Sequence, residues 1–156
     1  MRLLFKALCF LSVSSIFCNE PLTYTSVGIG PLPLPAFTVS IGHRSAILPK
    51  MMIDNGVTVS SFLVRDYFVG GYTNSLFNFG SSPFYAGFGV TLGGLLGKDL
   101  PHASAIGAPN MILGRSLNSQ AEKGFIQITT NYPVFSANDH SFDAFPFVTI
   151  KYGVGF

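Results

Sequence analysis

Residues 145–156 read Phe-Pro-Phe-Val-Thr-Ile-Lys-Tyr-Gly-Val-Gly-Phe, and from Val148 onward they alternate strictly. A strand sends successive side chains to opposite faces. Val148, Ile150, Tyr152, Val154 and Phe156 therefore share one face, wholly apolar and ending on an aromatic ring. Thr149, Lys151, Gly153 and Gly155 share the other. The stretch is predicted to be a strand with hydrocarbon on one side and an enclosed lumen on the other, as in the wall of a membrane barrel.

Composition agrees with that reading. Charged residues make up 10% of the chain, against about a quarter in ordinary soluble domains. There are 16 Phe, 6 Tyr and 17 Gly, and no Trp. A thin-walled barrel uses aromatics on its outer face and girdles, and glycines in turns and a crowded lumen. The length of 156 residues suits one domain.

Residues 1–18 are predicted to be a secretory signal peptide, leaving residues 19–156 as a single barrel domain. Arg2 and Lys6 give a basic start, an apolar run follows, and Asn19-Glu20-Pro21 breaks it. The 12 residues between Lys6 and Asn19 fall short of the roughly 20 that a spanning helix needs. Both cysteines, Cys9 and Cys18, lie in this leader, so the mature chain is expected to hold no disulfide. Lipidation of Cys18 is the competing use, and bulky Phe17 before it argues against that. Without Arg2 and Lys6 the net charge of +2 falls to zero. No basic stripe remains to bind nucleic acid.

Beyond the leader the chain is written in period two, punctuated by Gly, Pro, Asn and Ser. Residues 23–29 alternate, and Pro31, Pro33 and Pro35 then interrupt. Phe37, Val39 and Ile41 face one way, with Thr38, Ser40, Gly42 and Arg44 opposite. Residues 49–55 read as a connection, with Asp54-Asn55-Gly56 as its turn signal. Residues 57–72 hold one long strand or two, with breaks expected at Asp66 or Gly70-Gly71, and residues 74–83 read as a turn. The clearest internal strand is 84–93, where Phe84, Ala86, Phe88, Val90 and Leu92 oppose Tyr85, Gly87, Gly89, Thr91 and Gly93. Those glycines suggest a crowded interior or a bulky neighbour lying over them. Residues 97–110 read as the longest loop, 111–117 and 125–132 as strands, and 133–143 as a second loop.

The count is seven to nine strands, with eight expected. The predicted fold is all-β: a closed antiparallel up-and-down barrel, eight being the smallest size among single-chain outer-membrane barrels. A soluble sheet also alternates, apolar toward a core and polar toward water. Here the non-apolar faces are mainly Gly, Ser and Thr, and the charges and prolines gather in connections. Closure in a bilayer also removes the edges that a soluble sheet must protect.

The ending Lys151-Tyr152-Gly153-Val154-Gly155-Phe156 resembles the C-terminal signature of outer-membrane β-barrels of Gram-negative bacteria. Residues 41–44 and 85–90 resemble small barrel proteins of chlamydial type. The resemblance implies that Val148, Ile150, Tyr152, Val154 and Phe156 form an assembly signal read by the barrel assembly machinery. It also implies insertion into the cell outer membrane from the periplasm, with outer-membrane lipid as the surrounding partner.

For chemistry the sequence offers little. His43, His102 and His140 lack ligand spacing, so no metal and no cofactor are expected. Gly28-Ile29-Gly30 and Gly87-Phe88-Gly89 open no phosphate loop. Asp139, His140 and Ser141 are the residue types of a hydrolase, but adjacent residues on a strand point to opposite faces, and no G-x-S-x-G elbow is present. Arg44, Arg65, Asp66, Glu122 and Lys151 are candidates for a lumen charge network, with Asp66 and Glu122 as partners for the cations. The interior of an eight-stranded barrel is expected to be filled by its own side chains, so no general pore is predicted. The function expected is a structural, adhesion or interaction role through surface loops. The alternatives are a membrane-embedded lipid hydrolase or acyltransferase, and a periplasmic or secreted soluble β-barrel holding an apolar ligand.

Overall fold

The computed structural model describes residues 21–32, 36–62, 66–79, 82–97, 104–118, 123–132, 135–136 and 146–156. Residues 1–20, which include the expected leader with Cys9 and Cys18, lie outside them. The strands are β1 (Leu22–Leu32), β2 (Ala36–Leu48), β3 (Met51–Phe62), β4 (Asp66–Asn78), β5 (Phe84–Gly97), β6 (Ser104–Asn118), β7 (Lys123–Asn131), β8 (Phe135–Ser136) and β9 (Phe147–Gly155).

Every pairing is antiparallel. β1 to β7 each pair with the next in sequence, except that β7 passes to β9 beyond it. β9 then pairs with β1, from Tyr24↔Gly155 to Leu32↔Val148, and the ring closes. The two residues of β8 pair with Ile106 and Gly107 of β6, past the point where β7 leaves that edge at Asn110. The barrel therefore has eight long strands, with β8 as a short extension beside β6. The shortest, β7 and β9, have 9 residues each, and about 9–11 tilted residues cross a bilayer.

Polarity across the wall is the inverse of a soluble barrel's. On β2, Phe37, Val39 and Ile41 are 73%, 55% and 53% exposed, while Thr38 and Ser40 between them are 4% and 2%. The interior hydroxyls pair across β2 and β3, Thr38 with Ser60 at 2.9 Å and Ser40 with Thr58 at 3.0 Å. Each side chain thus follows the alternation read from the sequence, and a one-residue slip would turn hydroxyls into the outer face.

Three local expectations are corrected. Asp54-Asn55-Gly56 is no turn: it lies inside β3, and the chain reverses at Pro49-Lys50 instead. Gly56 is small because the Tyr72 side chain crosses it, where a Cβ would overlap the hydroxyl. Gly70-Gly71 is likewise mid-strand, and β4 runs on to Asn78, so the connection after it is shorter than the expected 74–83. β6 begins at Ser104, which shortens the loop expected over 97–110. Pro109 fits inside β6 because its carbonyl, and so its missing N–H, faces the gap between β7 and β8; that carbonyl accepts from the Tyr132 N–H at 2.9 Å.

The barrel has two unlike ends. The Leu22 end carries the Pro49-Lys50 hairpin, the 79–83 turn, the 119–122 connection and Gly155. The Leu32 end carries the 33–35, 63–65 and 98–103 connections and the longest one, from β7 to β9.

Candidate functional site

The interior divides in two along the barrel axis. Near the Leu22 end, Arg44 of β2 is buried among side chains from four other strands, β1, β3, β5 and β7. One terminal nitrogen donates to the Gln127 Oε1 at 2.7 Å and reaches the Asp54 Oδ2 at 3.4 Å; the other donates to the Tyr85 hydroxyl at 3.2 Å. The guanidinium carbon lies 3.7 Å from the Phe125 ring centre, a cation–π contact. Tyr85 in turn donates to Gln127 Oε1 at 3.1 Å. Tyr24 donates to Asp54 Oδ1 at 2.6 Å, so the 2.7 Å contact between Tyr24 and Tyr72 is donated by Tyr72. Tyr24 also meets the edge of Phe125, centroids 4.8 Å apart at 89°.

These contacts make a plug. Arg44 and Asp54 are 5% and 0% exposed and neutralise each other. A buried pair is tolerable only when its remaining valences are bonded, and here two tyrosines and a glutamine supply most of them. Aromatic bulk needs bare backbone beside it: a Cβ on Gly153 would overlap the Phe125 ring, and one on Gly114 the Tyr85 ring. On β5, Leu76, Asn74 and Phe68 of β4 lie over Gly87, Gly89 and Gly93.

The expected charge network is brought together only in part. Arg44 and Lys151 both point inward. The carboxylate that meets Arg44 is Asp54, which sequence reasoning placed in a turn. Continuing the Val57, Val59 alternation backward would have put it on the inner face. Arg65 and Glu122 lie outside the described residues. Asp66 opens β4 opposite Phe62 and Gly97, and its side chain is also outside them. Lys151 donates to the Ser40 hydroxyl at 3.4 Å and lies 5.3 Å from the Tyr72 ring centre. Among the described residues its ion-pair partner is missing, since Asp54 is bonded by Arg44 and Tyr24.

The other half of the interior is open, against the expectation of a lumen filled throughout. A cavity of about 170 Å³ lies there. Tyr24, Tyr72, Phe125, Gln127 and Lys151 form its floor, which is the top of the plug. Its wall carries hydroxyls and amides such as Thr58, Asn74, Asn110 and Thr129. Ala36, Leu95 and Ala108 line it toward the Leu32 end.

The outer surface is apolar and graded. Six exposed aromatics sit toward strand ends, Phe37, Tyr67 and Tyr132 at the Leu32 end and Phe77, Phe84 and Phe156 at the other, while Phe88 and Tyr152 are exposed further inside β5 and β9. Val39, Ile41, Val57, Val59, Leu113 and Ile128 fill the band between. Of the proposed assembly residues, Ile150, Tyr152 and Phe156 are 42%, 45% and 78% exposed, and Val148 and Val154 are half-buried on the same face. His43 also faces outward, its Nδ1 3.2 Å from the Thr23 hydroxyl. His102 and the Asp139-His140-Ser141 stretch lie outside the described residues. Among those described, no three His, Cys, Asp or Glu side chains gather as metal ligands would.

No family model matches the chain, and no curated protein does. A solved chain from "De novo design of transmembrane beta-barrels" is similar, at 13% identity and a TM-score of 0.44 over 89% of this chain and 97% of that one.

Proposed function

We propose that this protein is an integral β-barrel of a bacterial outer membrane, exported through its leader and assembled through its last strand. Its role is structural or adhesive, carried by the connections at the Leu32 end. The observation that carries this reading is the inverted wall: apolar side chains outside, and hydroxyls, amides and a buried ion pair inside. In water, a closed apolar surface on this scale would associate. In a bilayer it is the solvated face, and closure pairs the two edge strands, β1 and β9, with each other. The aromatic residues near both strand ends suit the two interfaces.

The test is extraction and gel migration. Membranes from expressing cells should retain the protein through a carbonate wash and release it to detergent. Unboiled detergent samples should migrate differently from boiled ones. Release by carbonate alone would sink the membrane reading.

A further inference from the structure

We infer that the outer face of β2, β3 and β4 docks a second copy of this chain, two barrels meeting side by side about a two-fold axis at the β2–β3 seam. The docking rests on the membrane reading, since in water the same polar surface is simply solvated.

A row of polar side chains crosses the apolar wall there. Thr23, His43, Asn55 and Thr73 are successive partners in the registers of β1 to β4. Their neighbours Tyr24, Arg44, Asp54 and Asn74 are buried inside, so all four face outward. The row ends at β5, where Val90 stands opposite Thr73. On the far side of the ring the outer face carries Met111, Leu113, Ile126 and Ile128 instead. Depth makes the row costly. β2 runs from Ala36 to Leu48 and β4 from Asp66 to Asn78, so His43 and Thr73 lie beside the middles of their strands. Phe77, of the Leu22 rim, is two outward positions beyond Thr73. The row therefore climbs into hydrocarbon, where a polar group without a partner is unfavourable.

The row is also self-complementary. Two bonds are made within the barrel: His43 Nδ1 lies 3.2 Å from the Thr23 hydroxyl, and Thr73 donates to Asn55 Oδ1. His43 Nε2 and Asn55 Nδ2 make no hydrogen bond among the described residues. These two side chains stand side by side in the β2–β3 register. A two-fold axis through that seam, parallel to the barrel axis, sets His43 of each copy against Asn55 of the other. With Nδ1–H donated to Thr23, Nε2 accepts from the amide of the other copy; in the other tautomer it donates to that amide's oxygen. Either way the bond forms twice, as an isologous interface requires.

The wall beside the row is flat. Gly71 lies outward between Val57 and Leu92. A Cβ on it would meet only the Gly56 carbonyl, at an ordinary 3.6 Å, whereas one on Gly42, Gly56 or Gly70 would overlap its neighbours. The barrel's own packing thus does not demand a glycine at 71. With Thr73 and Ser75 it makes three small outward residues in succession on β4, which let a neighbouring wall approach closely.

The test is photo-cross-linking of the full-length chain in expressing cells, with p-benzoylphenylalanine replacing Val57 beside the row or Leu113 across the ring. Both positions are well exposed, at 57% and 62%. After irradiation the membranes are washed with carbonate, and the products are identified by mass. Position 57 should give a covalent dimer of this chain, and position 113 should not. Cross-links from position 57 only to lipid or to another protein, no cross-link at all, or equal dimer from both positions would overturn the docking and leave the membrane reading standing. Loss of the protein in the carbonate wash would sink the membrane reading, and the docking with it. In detergent micelles, His43→Leu removes both reciprocal bonds and should raise the dimer dissociation constant roughly tenfold or more. His43→Gln should recover part of that loss. The unboiled gel band reports that each variant is folded, and unchanged association of folded His43→Leu would also overturn the docking.

Discussion

Arg44 and Asp54 stand directly opposite in the β2–β3 register, and Tyr24, Tyr85, Phe125 and Gln127 each touch one of them. Removing one member leaves a buried charge alone, which costs about 3–5 kcal/mol. Asp54→Ala should therefore lower the unfolding free energy by that amount, measured by urea titration of the barrel in micelles. Arg44→Met with Asp54→Leu should cost far less than the two single changes added together, because neither charge is stranded. Gly153→Val should also destabilise the fold, since the Phe125 ring occupies the space a side chain would need. Arg44 was legible in the sequence, being on the hydroxyl face of a clean alternation. Asp54 was not, because Asp-Asn-Gly is also the chemistry of a tight hairpin. Only the tertiary placement of Tyr72 explains why that glycine sits in mid-strand. The same holds for the glycines of β5, whose number signalled crowding without naming the Leu76, Asn74 and Phe68 that cause it.

Along each element, the outer face is graded by depth. Val57 lies mid-strand in β3 and Leu48 at the end of β2, and both are well exposed. Val57→Arg should cost about 2–4 kcal/mol and Leu48→Arg about 0–1 kcal/mol in lipid vesicles, following the depth dependence of charged residues on a barrel's lipid face. Equal costs would contradict the placement of the bilayer around the middle of the strands. β9 carries a second prediction. Phe156 donates its N–H to the Thr23 carbonyl at 2.9 Å, while its ring is exposed. Phe156→Ala should leave refolding from urea nearly unchanged and reduce the amount of barrel assembled in cells, read as the unboiled gel band. The strands with unbroken alternation, β2, β5, β7 and β9, were legible to within a few residues. β4 was obscured by Gly70-Gly71 and by polar Thr73 and Asn74. The first half of β6 was hidden by Pro109, whose tolerance depends on the gap between β7 and β8 and cannot be seen in one strand's sequence.

At the scale of the whole molecule, a count of seven to nine strands became eight through the even number of single-chain barrels, closure followed from the need to pair the edges, and sidedness from the alternation. What pattern alone could not show is that the interior is asymmetric. One half is packed around an ion pair, and the other holds a cavity that Lys151 lines. That division depends on where large and small inward residues fall around eight strands at one height. Such an arrangement is a property of the assembled ring and of no single segment. The account's central claim is that the outside of this ring faces hydrocarbon. The chain contains no tryptophan, so a single introduced indole reports without background. Val39→Trp places it on the outer face and Thr38→Trp, one residue away, inside. In vesicles of lipids brominated on their acyl chains, Val39→Trp fluorescence should be strongly quenched and Thr38→Trp fluorescence much less so. Quenching of Val39→Trp by aqueous acrylamide, with none by the brominated chains, would contradict the account.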